Sequence, residues 1–310
     1  MPLHAEIKPE RGTRMKHKHD NRRSVRERRG ARAALLLAFA LLVGCFGVLG
    51  TSAATVSLPS GAQITKVYVD GQEVLADECA LINSVTYVPL RKFCNLFADC
   101  KITWNSATNT ATVKTNDLTL IAQTGALYIT ANGHYYYTVE KILHLGGTLY
   151  VPIRPITRAF NAKLSWNASA RAVEVTSPVG TAAVPWASYN ADDVYWLSRI
   201  ISAEAGGEPF RGQIAVGNVV LNRKASKQYP NTIYGVIFDR KYGTQFTPAA
   251  SGTIYKKPTA SATIAAKICL EGYTLSDEIL FFYNPRIATT NWIDRARPYA
   301  FTIGNHRFYK

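Results

Sequence analysis

The chain has 310 residues, which is enough for two ordinary domains and a targeting segment. Apolar residues make up 47% and charged residues 18% of it, and these shares argue against wholesale disorder and against a multi-span membrane protein. The formal net charge is +15, of which +7 lies in residues 1–32. Because targeting explains this N-terminal charge, it does not indicate nucleic-acid binding, and no nucleic-acid partner is predicted.

The N-terminus combines a basic segment, an apolar segment and a run of small residues. Residues 33–50 carry no charge, and Thr51-Ser52-Ala53-Ala54 offers the small side chains that signal peptidase accepts. The pattern predicts that residues 1–54 are a basic leader and signal peptide, and that the remaining chain is secreted. An uncleaved membrane anchor is the alternative, because an apolar segment of this length just spans a bilayer. Membrane contact is predicted only through this segment.

The middle of the chain contains an internal repeat. Residues 85–115 and 147–177 superpose with a one-residue slip, and each reads as a β-prone run ending in Val-Pro-(Leu/Ile)-Arg, a helical stretch and a strand–turn–strand unit. A hairpin signal, Asp70-Gly71 or Asn132-Gly133, precedes each copy. The repeat predicts a duplicated β-rich module over residues 65–177.

With its YVPLR and YVPIR segments and paired Trp-Asn turns, this region resembles the copper amine oxidase N-terminal-like domain, an accessory module of secreted bacterial proteins. The resemblance implies a structural or wall-docking role and no copper site. His134 and His144 alone are too few for a transition-metal cage. Tyr135-Tyr136-Tyr137 is a candidate for stacking on sugars, with packing inside a strand as the alternative. Residues 178–190 are predicted to be a linker.

The cysteines beyond the leader suggest no metal site. Cys79, Cys94, Cys100 and Cys269 have no CxxC or Cys/His spacing, so neither a metal nor another cofactor is predicted. A disulfide among the first three is compatible with secretion. The fourth lies in an Ala-rich helical stretch, which indicates a small buried apolar residue.

A second domain is predicted over residues 191–310, and its first helix carries a carboxylate on its apolar face. Asn190 is a candidate N-cap, and Gly206-Gly207 ends the helix. Glu204 continues the apolar stripe of Val194, Leu197 and Ile201. Burial beside a helix C-terminus raises a carboxyl pKa and keeps the group protonated, as a general acid requires. The alternative is a Glu204 paired with a basic residue such as Arg223.

Four ordered segments of this domain resemble the SleB/CwlJ-type cell wall hydrolases. They are AEAGGEPFRGQIAVGNVVLNR at residues 203–223, QFTP at 245–248, FYNP at 282–285 and IGNHRFY at 303–309. The resemblance implies a mainly α-helical, lysozyme-like catalytic domain that cleaves peptidoglycan between N-acetylmuramic acid and N-acetylglucosamine. It also implies that Glu204 is the catalytic acid and that spore cortex is a possible substrate. The family often has arginine where this chain has Gly206.

Further residues of these segments are predicted to bind substrate. They are Gln245, Phe246, Tyr283, Asn284 and His306. The first two lie in a Gly- and Thr-rich loop, where ligand contacts are common. Hydrogen bonding within the core is the alternative for His306. Glu208 is predicted to be a charge at the start of the second helix.

The predicted fold class is therefore α+β, with a duplicated β-rich module before a helical catalytic domain. No second carboxylate has a distinctive setting, which favours a lytic transglycosylase with a single acid/base over a hydrolase. The predicted location is secreted, in the cell wall or spore envelope. The alternatives are a catalytically silent wall-binding protein, a DNA-binding protein and a Cys269/His306 peptidase.

Overall fold

The computed structural model describes residues 58–178, 183–241 and 243–310, all within a unit that spans Val56–Lys310. The predicted signal peptide or anchor at residues 1–54 lies outside the described residues. Across the described ranges, no helix combines the length and apolar character needed to cross a membrane.

The first part is β-rich, as the repeat predicts, with two short helices, α1 (Leu90–Cys94) and α2 (Ile153–Ala159). Its strands are β1 (Gln63–Ile64), β2 (Lys66–Val69), β3 (Gln72–Val74), β4 (Ala80–Ile82), β5 (Val85–Pro89), β6 (Lys101–Asn105), β7 (Thr110–Lys114), β8 (Thr119–Gln123), β9 (Tyr128–Ala131), β10 (His134–Tyr137), β11 (Leu143–Leu145), β12 (Thr148–Pro152), β13 (Lys163–Asn167) and β14 (Ala172–Thr176). They form three sheets in the orders β1-β4-β5-β12-β11, β10-β9-β8-β7-β6 and β13-β14-β2-β3.

The two repeats meet in the first of these sheets. Strands β5 and β12 pair antiparallel with Val88 opposite Val151, so the two Val-Pro segments lie side by side. The last strand of each copy, β7 or β14, has a different neighbour. In the second sheet, β8 lies between β7 and β9. In the third sheet no strand intervenes, and β14 pairs directly and in parallel with β2. The duplicated β-rich architecture is confirmed, and this asymmetry is a finding of the structure.

The tyrosine run on β10 packs inside the protein. Tyr136 and Tyr137 are 3% and 8% exposed, and the Tyr137 ring lies 4.6 Å from that of Tyr273. Next to them, His134 Nδ1 lies 2.8 Å from Glu271 Oε1. Stacking of Tyr136 or Tyr137 on sugars, a candidate role from the sequence, is therefore wrong, because both rings are already covered by other side chains.

The second part is mainly helical, as predicted, and contains one small sheet. Its helices are α3 (Ala191–Ala205), α4 (Phe210–Ala225), α5 (Ile233–Phe238), α6 (Thr247–Ser251), α7 (Ala260–Leu270) and α8 (Trp292–Ala296), with a 3₁₀ turn at Thr253–Tyr255. The sheet has the order β15-β17-β16, with β15 at Phe281–Tyr283, β16 at Tyr299–Ile303 and β17 at His306–Tyr309. Helices α3, α4 and α7 pack on one another around a second hydrophobic core, to which Tyr137 of β10 also contributes.

Local signals set the ends of α3 as the sequence predicts. The Asn190 side chain accepts a hydrogen bond of 3.0 Å from the Asp193 amide, and Gly206 caps the C-terminus. Gly217 allows α4 and α7 to approach closely, since a Cβ there would lie 2.7 Å from Cys269 Sγ.

The cysteines of the described residues are free thiols. Cys269 is 2% exposed, and its Sγ donates to the Ile214 carbonyl at 3.4 Å. Burial raises the pKa of this thiol well above its usual value. The predicted role of Cys269 as a buried apolar residue is confirmed, and its burial contradicts the peptidase alternative because a nucleophilic thiolate needs a depressed pKa and access to substrate.

Candidate active site

Glu204 lies in the last turn of α3, where the helix packs into the core of the second part. Leu197 and Ile201, on the same face, are fully buried, while Glu204 is partly buried. Within the described ranges, its carboxylate has neither a hydrogen bond nor an ion pair. The predicted position on the apolar stripe is confirmed, and the alternative of a direct ion pair with Arg223 is not what the structure shows.

The surroundings of Glu204 favour the protonated acid. Burial raises its pKa from 4.5 to about 7, and the nearby positive charge of Arg223 partly opposes the increase. A low-dielectric setting penalises the carboxylate more than the neutral acid. A pKa raised this close to neutrality makes both the protonated and the ionised form of Glu204 accessible, which suits a group that must donate and later accept a proton.

Arg223 is the cation beside Glu204, and it is held firmly from three sides. It is 5% exposed, and its Nε donates to the Leu280 carbonyl at 2.7 Å while one terminal nitrogen donates to Gln245 Oε1 at 3.3 Å. Its guanidinium lies 5.1 to 5.4 Å from three ring centres, which belong to Tyr229, Phe246 and Phe281. The sequence carries a signal for this residue, because Arg223 continues the buried stripe of Val216 and Val219 on α4.

Gln245 and Phe246, both predicted to bind substrate, reach the site through Arg223. Gln245 is partly buried, and its Nε2 also donates to the Gly243 carbonyl at 3.3 Å. Phe246 is 2% exposed, and its ring packs under the guanidinium. The Phe246 ring is enclosed in the core, which gives it a packing role, and its predicted contact with substrate stays a prediction.

Tyr283 and Asn284 hold the loop that follows β15. The Tyr283 hydroxyl donates to Asp294 Oδ2 at 2.6 Å, which fastens α8 to the small sheet. The Asn284 side chain accepts from the Arg286 amide at 3.0 Å and so closes a turn. These contacts give both residues structural partners, and their predicted contact with substrate stays a prediction.

His306 and Glu208 lie on the side of the domain where β17 meets the start of α4. His306 is 6% exposed and packs edge-on against Phe282, with ring centres 5.2 Å apart. Burial lowers its pKa, although the negative charge of Glu208 opposes that effect. Within the described residues its buried Nδ1 has no hydrogen-bond partner, so hydrogen bonding within the core is not found, and the predicted substrate contact of His306 stays a prediction.

Glu208 is an anchor for the β16–β17 turn. Its two oxygens accept hydrogen bonds of 2.9 Å from the backbone and side-chain amides of Asn305. Burial raises its pKa, but these bonds outweigh that effect, so the net pKa is lowered. Glu208 therefore stays ionised near neutral pH, in contrast to Glu204.

No metal cluster contributes to this arrangement within the described ranges, where no group of three or more His, Cys, Asp or Glu side chains is placed to hold an ion.

The pKa of Glu204 predicts the alkaline limb of the pH–activity profile. The sequence predicts that Glu204 is the catalytic acid of a peptidoglycan-cleaving domain. Such an acid must be protonated, so under this prediction the rate of cleavage is expected to fall tenfold per pH unit above about pH 7. Initial rates on purified peptidoglycan between pH 5 and 9 measure this limb. A rate that stays constant from pH 6 to pH 9 would show that Glu204 is not the titrating acid.

The chain matches two described families, one in each part. The cell wall hydrolase family matches residues 207–309, a range that begins after Glu204, and the copper amine oxidase N-terminal domain matches residues 68–175. The spore cortex-lytic enzyme of Bacillus cereus is 38% identical over 122 residues, which cover 39% of this chain and 46% of that protein. The Bacillus subtilis spore cortex-lytic enzyme is 38% identical over 120 residues, or 39% of this chain and 38% of that protein. The chain thus spans less than half the length of the curated relatives it matches.

Two solved catalytic domains are similar to the same part. One is the catalytic domain of the germination-specific lytic transglycosylase SleB from Bacillus anthracis, with 38% identity, coverage of 41% of this chain and 100% of that chain, and a TM-score of 0.36. The other is the catalytic domain of Bacillus cereus SleB, with 37% identity, coverage of 40% and 93%, and the same TM-score. The two family matches show that the chain carries a cell wall hydrolase domain at residues 207–309 and, upstream of it, a copper amine oxidase N-terminal domain at residues 68–175.

Proposed function

We propose that this chain is a secreted enzyme that cleaves peptidoglycan glycan strands between N-acetylmuramic acid and N-acetylglucosamine, as a lytic transglycosylase. The observation that carries the proposal is the partly buried Glu204, whose pKa of about 7 lies where an acid/base catalyst works best. The sequence also supports the proposal, because the chain is 38% identical to a catalytic domain described as that of a lytic transglycosylase.

In the proposed reaction, Glu204 first acts as an acid and then as a base. Its carboxyl proton passes to the bridging oxygen as the bond from that oxygen to C1 of the muramic acid breaks, leaving an oxocarbenium-like centre. The carboxylate then takes the proton of the C6 hydroxyl of the same sugar while that oxygen bonds to C1. The products are a 1,6-anhydro end and a free hydroxyl on the departing sugar, and Glu204 regains its proton.

Arg223 supports both steps without touching the sugar. Its charge lies near Glu204 and stabilises the carboxylate that exists between the two proton transfers. Among the residues predicted to bind substrate, Gln245 is the one that accepts a hydrogen bond from Arg223, so it is best placed to contact a sugar bound beside Glu204. We assign it to an acetamido group, because amides pair with amides through one donor and one acceptor.

The names of the relatives favour spore cortex peptidoglycan as the substrate, and hence the spore envelope or cell wall as the place of action. The β-rich module is proposed to dock the enzyme onto the wall. The observation that supports docking is the exposed Trp186, which lines a pocket in the first part of the chain.

Mass spectrometry of soluble products tests the function. The purified chain is incubated with vegetative peptidoglycan and with spore cortex, and fragments ending in 1,6-anhydromuramic acid are expected, with the higher yield from cortex. Fragments with reducing muramic acid ends would instead mean hydrolysis. Binding without any product would favour the catalytically silent wall-binding protein.

The single-acid mechanism predicts that Asp239 is dispensable. Asp239 is the second carboxylate whose charge reaches Arg223, so it is the strongest candidate for a base in a hydrolytic mechanism. We expect Asp239→Asn to keep anhydro products and to lower the rate by less than about tenfold, because a transglycosylase needs no second carboxylate. Rates of product release measure the effect. A loss as large as that of Glu204→Gln would make Asp239 part of a two-carboxylate mechanism.

A further inference from the structure

A pocket of about 490 Å³ lies in the first part of the chain, among three segments of backbone. The segments are the β7–β8 turn at residues 115–119, the β9–β10 turn at Asn132, and residues 183–186 that lead to the second part. Its volume falls within the range of small-molecule sites, about 300–1,000 Å³. None of the residues in its walls belongs to the candidate active site.

Asn132 fixes the walls of this pocket relative to one another. It is 1% exposed, and its side-chain amide donates to the carbonyls of Asp117 at 2.6 Å and Val184 at 2.8 Å. Its Oδ1 accepts from the Thr119 amide at 2.8 Å. Because one buried side chain joins all three segments, the pocket is formed in advance of any ligand.

Trp186 forms an open wall of the pocket and is poorly explained by packing. Its side chain is 69% exposed, the largest exposure of any tryptophan in the described residues. The ring lies against Gly133, whose φ of +83° suits glycine, and the neighbouring Ala187 amide donates to the Asn132 carbonyl at 2.8 Å. The backbone beside Trp186 is thus tied to the β9–β10 turn, while most of the indole surface faces solvent.

The polar rim opposite Trp186 consists of Asn116 and Asp117. The Thr115 hydroxyl accepts hydrogen bonds from the amides of Asp117 and Leu118 at 3.2 and 3.0 Å, which fixes the turn. Both rim side chains are exposed, and in the described part of the chain neither forms a hydrogen bond or an ion pair. They present one amide and one carboxylate to whatever enters.

We propose that this pocket binds a neutral N-acetylglucosamine unit of the glycan strand. The apolar C–H face of a pyranose fits the open indole face, while an amide and a carboxylate can bond adjacent hydroxyls. Asp117 is the charged residue among those that line the pocket, so an anionic ligand such as a phosphate polymer or the lactyl carboxylate of muramic acid would be repelled. The inference rests on the proposed glycan substrate and assigns the wall docking to particular residues.

The test uses the full chain with Glu204→Gln, which leaves glycan intact, and the tetrasaccharide of N-acetylglucosamine as probe. Tryptophan fluorescence is expected to change on titration, and Trp186→Ala should abolish that change and weaken binding to purified peptidoglycan about tenfold. Asp117→Asn should weaken binding less. The matched control is Trp166→Ala, which removes another exposed tryptophan of the same module, 54% exposed, and should bind like the parent.

Thermal unfolding of each variant shows whether it is folded, and the exposure of Trp186 predicts an unchanged midpoint. If Trp186→Ala leaves both the fluorescence change and the affinity for peptidoglycan unaltered, the inference is overturned. Separate assays with an intact Glu204 distinguish this failure from that of the proposed function. If the wild type releases no product but Trp186→Ala weakens glycan binding, the pocket inference is upheld and the proposed enzymatic function is refuted. If the wild type releases product but Trp186→Ala binds glycan as the parent does, the enzymatic function is upheld and the pocket inference is refuted.

Discussion

Replacement of Glu204 by Gln is expected to lower the rate of anhydro-product release by about 10³-fold or more, because general acid–base catalysis contributes up to about 10⁴-fold and glutamine cannot transfer the proton. The amide has nearly the same shape, so the partly buried site keeps its packing. Mass spectrometry of products from wild type and variant, under identical conditions, measures the loss.

Although Glu204→Gln is expected to lower activity, it should raise the stability of the folded protein at alkaline pH. A carboxyl whose folded-state pKa is raised from 4.5 to about 7 contributes stability that is fully present below pH 4.5 and is lost as pH rises through 7. The loss is at most about 3 kcal/mol in the free energy of unfolding. Glutamine does not ionise, so Glu204→Gln should unfold at a higher temperature than wild type at pH 9.

Glu208→Gln is the matched control, since it changes the same residue type in the next turn of chain. Its carboxylate accepts two hydrogen bonds from Asn305 and lies at the start of α4. We expect most of the activity to remain and the free energy of unfolding to fall by about 1 kcal/mol. If Glu208→Gln were inactive while folded and Glu204→Gln were active, the assignment of the acid would be wrong.

Replacement of Arg223 by Met should cause the second large effect, on both stability and the pH profile. The change removes a buried cation that donates to the Leu280 carbonyl and to Gln245, and it leaves both acceptors without that donor. We expect the free energy of unfolding to fall by about 3 kcal/mol. Chemical denaturation measures this loss.

The same variant should raise the pKa of Glu204, because Arg223 is the positive charge that holds it down. The alkaline limb of activity should therefore move to higher pH in the fraction that folds. Arg223→Lys keeps the charge and should leave the limb in place, although it loses the planar group that fits among the rings. If the limb of Arg223→Met coincided with that of wild type, Arg223 would have no electrostatic role in catalysis.

Features that depend on neighbouring residues were readable in the sequence. The cap at Asn190, the Gly206-Gly207 stop and the position of Glu204 on the buried stripe follow from capping and from the helical period. The two repeats and their hairpins followed from turn residues and from self-similarity, so the α+β order of the chain was also accessible. Burial of Glu204, and with it the raised pKa, came from the same local pattern.

Contacts between distant segments were decided by the tertiary structure alone. Arg223 on α4 meets Gln245 from a loop and Leu280 before β15, a grouping that no periodicity encodes. The same packing buried Phe246 and His306, whose motif positions had suggested substrate contact. Residues near one another in sequence share a face or a turn because backbone geometry repeats, whereas residues far apart meet only where the whole chain packs.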